Sequence, residues 1–128
     1  MPAVVNTARQ GAAFERRIIT ELKQHGYLCT RSAASKGAVD IVAVAEPTWV
    51  GHDTYERDIL GIQAKLTDPL LSPAERLAVQ QWALWAGAVP LVSWWAADET
   101  TGLVRVHYRQ LTGPGPKDWA HWAPGEDN

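Results

Sequence analysis

The 128-residue sequence is poor in the features that mark several broad protein classes. It has one cysteine, Cys29, so no intrachain disulfide can form and no cysteine zinc cluster can assemble; within Tyr27-Leu28-Cys29-Thr30 it reads as a core strand residue. His25, His52 and His121 lack metal-ligand spacing. No apolar run approaches the roughly 20 residues that cross a bilayer as a helix. The opening Met1-Pro2-Ala3-Val4-Val5-Asn6-Thr7 has neither the basic segment nor the apolar stretch of a signal peptide. A soluble, cytoplasmic protein without membrane association is expected. Repeats and low-complexity tracts are also missing, apart from a Pro/Gly-rich end.

What is present fits one globular domain with a real core, since 46% of residues are apolar. Net charge is only −2, but it is unevenly placed. Residues 1–37 set Arg9, Arg16, Arg17, Lys23, Arg31 and Lys36 against Glu15 and Glu21, a net of +4, whereas residues 38–75 carry a net of −5. Screening confines attraction to contact range, so a basic N-terminal face can bind phosphates in an acidic protein.

The element order follows from periodicity and punctuation. Thr7-Ala8-Arg9-Gln10 reads as a capping box, predicting a helix over about 8–25 that His25-Gly26 closes. A strand over about 27–31, a polar loop Ser32-Ala33-Ala34-Ser35-Lys36-Gly37 and a strand containing Asp40 follow. A turn-rich loop over 46–58 leads into Ile59-Leu60-Gly61-Ile62-Gln63-Ala64-Lys65. Ser72, Pro73 and Glu75 open a second helix, which Gly87 ends, with an inner stripe of Leu77, Ala78, Gln81, Trp82 and Trp85. Residues 88–95 form an apolar strand, parallel to the one before the helix. In the last strand, 103–109, Arg105, His107 and Arg109 form a solvated basic face. Residues 112–128 show no helical or strand period; Trp119 and Trp122 are expected to anchor them to the domain.

Four positions break the pattern. Asp40 stands alone in Ala38-Val39-Asp40-Ile41-Val42-Ala43-Val44-Ala45, and burying an unpaired carboxylate is costly unless a metal, a cation or a proton compensates. The period of two puts Gly61, Gln63 and Lys65 on one strand face, so Gln63 and Lys65 point the same way. On the first helix, Glu15 falls within the stripe of Gly11, Phe14, Ile18, Ile19 and Leu22. Each alone has a structural explanation: a boundary charge for Glu15, an edge residue for Lys65. Together they have the layout of a metal-dependent nuclease.

Gly11-Ala12-Ala13-Phe14-Glu15-Arg16, Gly26-Tyr27, Arg31 through Gly37, Val39-Asp40-Ile41-Val42-Ala43 and Gln63-Ala64-Lys65 closely resemble the archaeal-type Holliday junction resolvases of the PD-(D/E)xK nuclease superfamily, over about residues 8–95. The resemblance implies an α/β fold, a restriction-endonuclease-like mixed β-sheet flanked by helices in the order α-β-β-β-α-β-β. With the Pro/Gly-rich, aperiodic end set apart, the expected organisation is a nuclease domain over 1–111 and a tail over 112–128. By the same resemblance Glu15, Asp40 and Gln63 hold Mg²⁺, or Mn²⁺, and Lys65 completes the catalytic set by positioning or activating water. Arg9, Arg16, Arg31, Ser32, Ser35 and Lys36 are the expected DNA contacts. The partners implied are four-way or other branched DNA, nicked symmetrically, and a second copy of the chain, giving a homodimer.

One position departs from the resolvase pattern. The third metal position, normally Glu, is Gln63, whose amide oxygen can coordinate but carries no charge. Gln-x-Lys also occurs in Mrr-like nucleases, which makes a branched- or duplex-DNA endonuclease of that type the alternative enzyme. A DNA-binding module with a decayed metal site is the non-enzymatic alternative; retention of Glu15, Asp40 and Lys65 together speaks against it.

Overall fold

A computed structural model describes residues 7–32 and 37–126. Helix α1 (Thr7–Gln24) is followed by β1 (Tyr27–Arg31), β2 (Ile41–Ala45), β3 (Thr48–Trp49), β4 (Tyr55–Glu56) and β5 (Ile59–Ala64); then come α2 (Pro73–Ala86), β6 (Val89–Ala97), β7 (Val104–Leu111) and β8 (Trp119–His121). Six strands form one sheet in the order β1-β2-β5-β6-β7-β8. The β5–β6 pair, joined through α2, is parallel; the other pairs are antiparallel. The mixed sheet flanked by helices expected from the sequence is what the chain forms. No helix among the described residues is long and apolar enough to cross a membrane.

Alternation along β5 assigns the two faces. Leu60 and Ile62 are fully buried with Phe14, Ile18 and Leu22 of α1, and Ile41 and Ala43 of β2 join them. On the opposite face Gly61 lies beneath the Trp82 indole of α2: a Cβ there would come within 2.3 Å of the ring. Only glycine allows this approach. A second cluster on this side gathers Val39, Leu71, Val79, Val92 and Leu111.

Both ends of α2 carry the expected signals. Ser72 and Glu75 exchange both capping-box hydrogen bonds, and Gly87 closes the helix in the left-handed conformation at φ 65°. The expected inner stripe is displaced, however. Arg76, Val79 and Ala83 are buried, whereas Leu77, Leu84 and Trp85 are exposed, Trp85 to 91%. The cause is polar: the Arg76 guanidinium donates through Nη1 to the carbonyls of Gly113 and Asp118, each at 3.0 Å, and Gln80 donates to Gly113 O at 2.9 Å. A buried guanidinium requires such acceptors. Meeting that requirement turns the leucine and tryptophan stripe outward, with Trp82 alone reaching inward over Gly61.

The last segment also differs from the expectation of no strand. Asp118 Oδ2 accepts from the Gly115 N–H at 2.8 Å, and Asp118 O accepts from the Thr112 N–H at 3.0 Å, so the chain folds back. It then pairs with β7 as β8 and buries Trp122 against Tyr108, ring centroids 5.2 Å apart. Within the 46–58 connection, β3 and β4 form a small separate hairpin where only a loop was expected, with Trp49 and Tyr55 edge to face at 5.2 Å.

Candidate metal and nucleic-acid site

Asp40 precedes β2 and is stitched to both neighbours. Its N–H donates to Ile62 O and its carbonyl accepts from the Ser32 N–H, both at 2.8 Å. Its Oδ2 accepts from the Ala64 N–H at 2.8 Å. These bonds hold the partly buried carboxylate at the end of β5, where the Gln63 and Lys65 positions lie. Burial pushes the Asp40 carboxyl above the usual aspartate range; the Ala64 amide and the Lys65 charge oppose that shift, and the Glu75 charge adds to it.

Glu15 stands beside Phe14 on α1, its side chain 16% exposed, and accepts from Arg31 Nη2 at 3.3 Å. Its carboxyl is also raised, first by burial; Arg31 pulls it down and the charge of Asp40 pushes it up. The charge of Asp40 is therefore felt at Glu15, and for both carboxyls burial outweighs the groups that favour the charged form.

Gln63 is partly buried on the α2-facing side of β5, with Gly61 before it and Lys65 after it. Lys65 lies just past the strand, its N–H donating to Ser93 O at 2.8 Å. Its Nζ donates to Glu75 Oε2 at 2.6 Å. Sequence reasoning missed that contact. Glu75 was legible as a capping residue, and nothing in a capping box announces what the second carboxylate oxygen does.

Oxygen donors from Glu15, Asp40 and Gln63 are of the type that hard divalent cations take. Their chemistry fits such an ion, with two negative charges in place of the three a Glu at position 63 would provide. Among the described residues no three His, Cys, Asp or Glu side chains gather as a metal-holding group.

The expected DNA contacts divide three ways. Arg9, Arg16 and Ser32 are exposed. Arg31 is engaged with Glu15, which ties a basic residue directly to the acidic site. Ser35 and Lys36 lie outside the described residues.

Comparison with known proteins follows the same lines. A family model described as archaeal Holliday junction resolvase matches residues 6–59, a segment that includes Glu15 and Asp40 and stops before Gln63 and Lys65. The chain is also similar to the solved structure of a Holliday junction resolvase from the archaeal hyperthermophile Archaeoglobus fulgidus, with 26% identity and a TM-score of 0.52, over 76% of this chain and 70% of that one. No curated protein matches.

Proposed function

We propose that this chain, which matches the archaeal Holliday junction resolvase family over residues 6–59 and shares the fold of a solved member, is a metal-dependent, structure-specific DNA endonuclease that nicks four-way junctions symmetrically. The observation that carries the reading is Asp40: a partly buried carboxylate, raised by burial, at the strand end shared with Gln63 and Lys65 and close enough to Glu15 to be felt there. A carboxyl perturbed by burial beside specific charged partners is the mark of a candidate functional site.

Glu15, Asp40 and Gln63 are the residues that would hold Mg²⁺, with Mn²⁺ an acceptable substitute. When bound, the ion lowers the pKa of water and offsets charge on the phosphate. Lys65 orients the attacking water and stabilises the charge that develops as the new P–O bond forms and the old ester bond breaks. Arg16, Ser32 and Arg31 hold flanking phosphates, with Arg9, Ser35 and Lys36 extending the contact. The protein works in the cytoplasm, where its substrate lies.

Two symmetric nicks require two sites, and we assign the second to a second copy. Leu77, Leu84 and Trp85 of α2 offer the contact, an apolar patch of the kind that marks an association surface. Trp85→Glu should convert the dimer to a monomer in sedimentation; a wild-type protein that is monomeric at micromolar concentration would rule the assembly out.

Matched labelled substrates test the activity itself: four-way junction, fork, linear duplex and single strand, each in Mg²⁺. Paired symmetric nicks confined to the junction are expected. Cleavage of plain duplex would favour an Mrr-like endonuclease, a reading that Gln63-Ala64-Lys65 supports by its Gln-x-Lys pattern.

A further inference from the structure

Glu75 does two things at once. Its Oε1 accepts from the Ser72 N–H and its own N–H donates to Ser72 Oγ, both at 3.1 Å, closing the capping box of α2. Its Oε2 accepts from Lys65 Nζ at 2.6 Å. A capping box uses one side-chain oxygen and works equally with glutamine. The capping box thus leaves the second oxygen of Glu75 open to another partner, and its charge, which also suits the positive end of the helix, open to a second use.

Their other use lies with Lys65. That side chain follows the end of β5 and carries four rotatable bonds, whose freedom a single directed partner removes. The bond is short and charge-assisted, and both groups are partly shielded, with side-chain exposures of 27% for Lys65 and 39% for Glu75. The Lys65 hydrogen bond is the largest influence holding the Glu75 carboxyl below its usual range, and Asp40 feels the charges of both residues. The pair therefore belongs to the electrostatics of the candidate site. On β5 itself the residue two before Lys65 is neutral Gln63.

We propose that Glu75 is a positioning residue for cleavage: from the first turn of α2 it fixes the Lys65 ammonium beside Asp40 and supplies the negative charge that Gln63 does not bring to β5. The proposal rests on the nuclease reading above. A helix-capping ion pair without functional consequence is the competing explanation.

The test uses the full chain with Glu75→Gln, Gln63→Glu, the double variant combining them, and Asp40→Asn. Three quantities are read: single-turnover cleavage of a four-way junction against protein concentration, the melting temperature, and the rate at which Lys65 of the metal-free protein is acylated, followed by peptide mass. Glu75→Gln keeps an oxygen for the Ser72 amide but loses a partly exposed ion pair and a first-turn charge, so its melting temperature should fall by no more than a few degrees and the protein should stay folded during the assay. Its maximal cleavage rate should fall about 10- to 100-fold, the usual effect of removing a residue that orients the site's direct participants. Half-saturating junction concentration should not change, and Lys65 should be acylated several-fold faster. Gln63→Glu placed in that background should restore part of the rate.

Wild-type cleavage and wild-type Lys65 reactivity in Glu75→Gln would reduce the pair to a helix cap and overturn the proposal. A faster Glu75→Gln enzyme would overturn it in the other direction, making Glu75 a restraint. Absence of rescue in the double variant would remove charge supply from the role. Failure of the nuclease reading is distinguishable, because Asp40→Asn would then match wild type on every substrate while acylation still reports on the Lys65–Glu75 pair.

Discussion

Two aspartates that flank strands of one sheet are treated in opposite ways. Asp98, in the turn between β6 and β7, accepts from the Thr101 and Thr100 N–H groups at 3.0 and 2.8 Å and pairs with Arg105 at 3.3 Å; those amide bonds hold its carboxyl below the ordinary range. Asp40 has one amide partner, and burial outweighs it. The surroundings repeat the contrast. At the β6–β8 edge Arg109 is held between the indoles of Trp94 and Trp119, at 4.9 and 3.8 Å, and His107 stacks on Trp94 with Nε2 3.0 Å from Ala96 O. Of the basic face expected there Arg105 is solvated, whereas His107 and Arg109 are drawn into an aromatic-clad tie between strands. The Asp98 carboxyl is held down by its amide partners, whereas at the Glu15–Asp40 end burial outweighs the Arg31 ion pair and the Ala64 amide and raises both carboxyls.

The sharpest way to break this comparison is Asp40→Asn. The amide keeps an oxygen for the Ala64 N–H, so the fold and DNA binding should survive. Cleavage should drop below about a thousandth of wild type, because a metal's stabilisation of transition-state charge is worth several kcal/mol. Rapid cleavage by Asp40→Asn would move the chemistry elsewhere. At the other end, Trp122→Ala should do the reverse: it removes a core side chain packed on Tyr108 and should cost about 3–5 kcal/mol of stability in urea melts. Below its melting point it should leave the rate per folded molecule nearly unchanged. A loss under about 1 kcal/mol would mean that the final segment is a detachable tail after all.

How much of this was legible beforehand depends on the kind of force involved. The limits of β1, the capping box and glycine stop of α2, and the two faces of β5 were readable, because local hydrogen bonding and alternation decide them. So were Glu15, Asp40 and Lys65, each a charge in an apolar pattern. The rotation of α2 was not. Its sequence carries two overlapping stripes, and the choice fell to Arg76, whose acceptors Gly113 and Asp118 are 37 and 42 residues away. The strand β8 escaped notice for a related reason, since three residues after a Pro/Gly-rich turn show no period, and pairing with β7 creates the strand. In the sequence Glu75 reads only as a cap. Local rules report local partners, and the contact to Lys65 spans the loop between β5 and α2.

A milder perturbation sharpens the charge deficit. Gln63→Glu adds a carboxylate at the strand position where the resembled resolvases carry one, and should lower the Mg²⁺ concentration for half-maximal cleavage about tenfold or more, the range for changes that bear on a metal's ligands. The maximal rate need not rise with it, because tighter metal binding and faster turnover are separate quantities. Gln63→Ala should shift the requirement the other way. Identical metal requirements in all three proteins would show that Gln63 makes no contact with the ion, leaving Glu15 and Asp40 to hold it with backbone oxygens and water.

The smallest effect belongs to Asp98, and its sign is the opposite of what Asp40 would give. A carboxyl whose folded pKa is lowered contributes stability that is present above its unfolded pKa and is lost as pH falls through the folded value. Asp98→Asn should therefore lower the melting temperature at pH 6, and the gap should close progressively below about pH 4, the ordinary aspartate range. The carboxylate is in a turn with solvent access and its ion pair with Arg105 is more than half exposed on the arginine side, so the shift at pH 6 should be a degree or two at most, and 0.5 M salt should trim it. Cleavage of a four-way junction should be untouched at either pH, once corrected for the folded fraction. A melting gap that widened toward acid would mean that the Thr100 and Thr101 amides do not favour the charged form, and the contrast drawn between the two aspartates would fail at its better-compensated end.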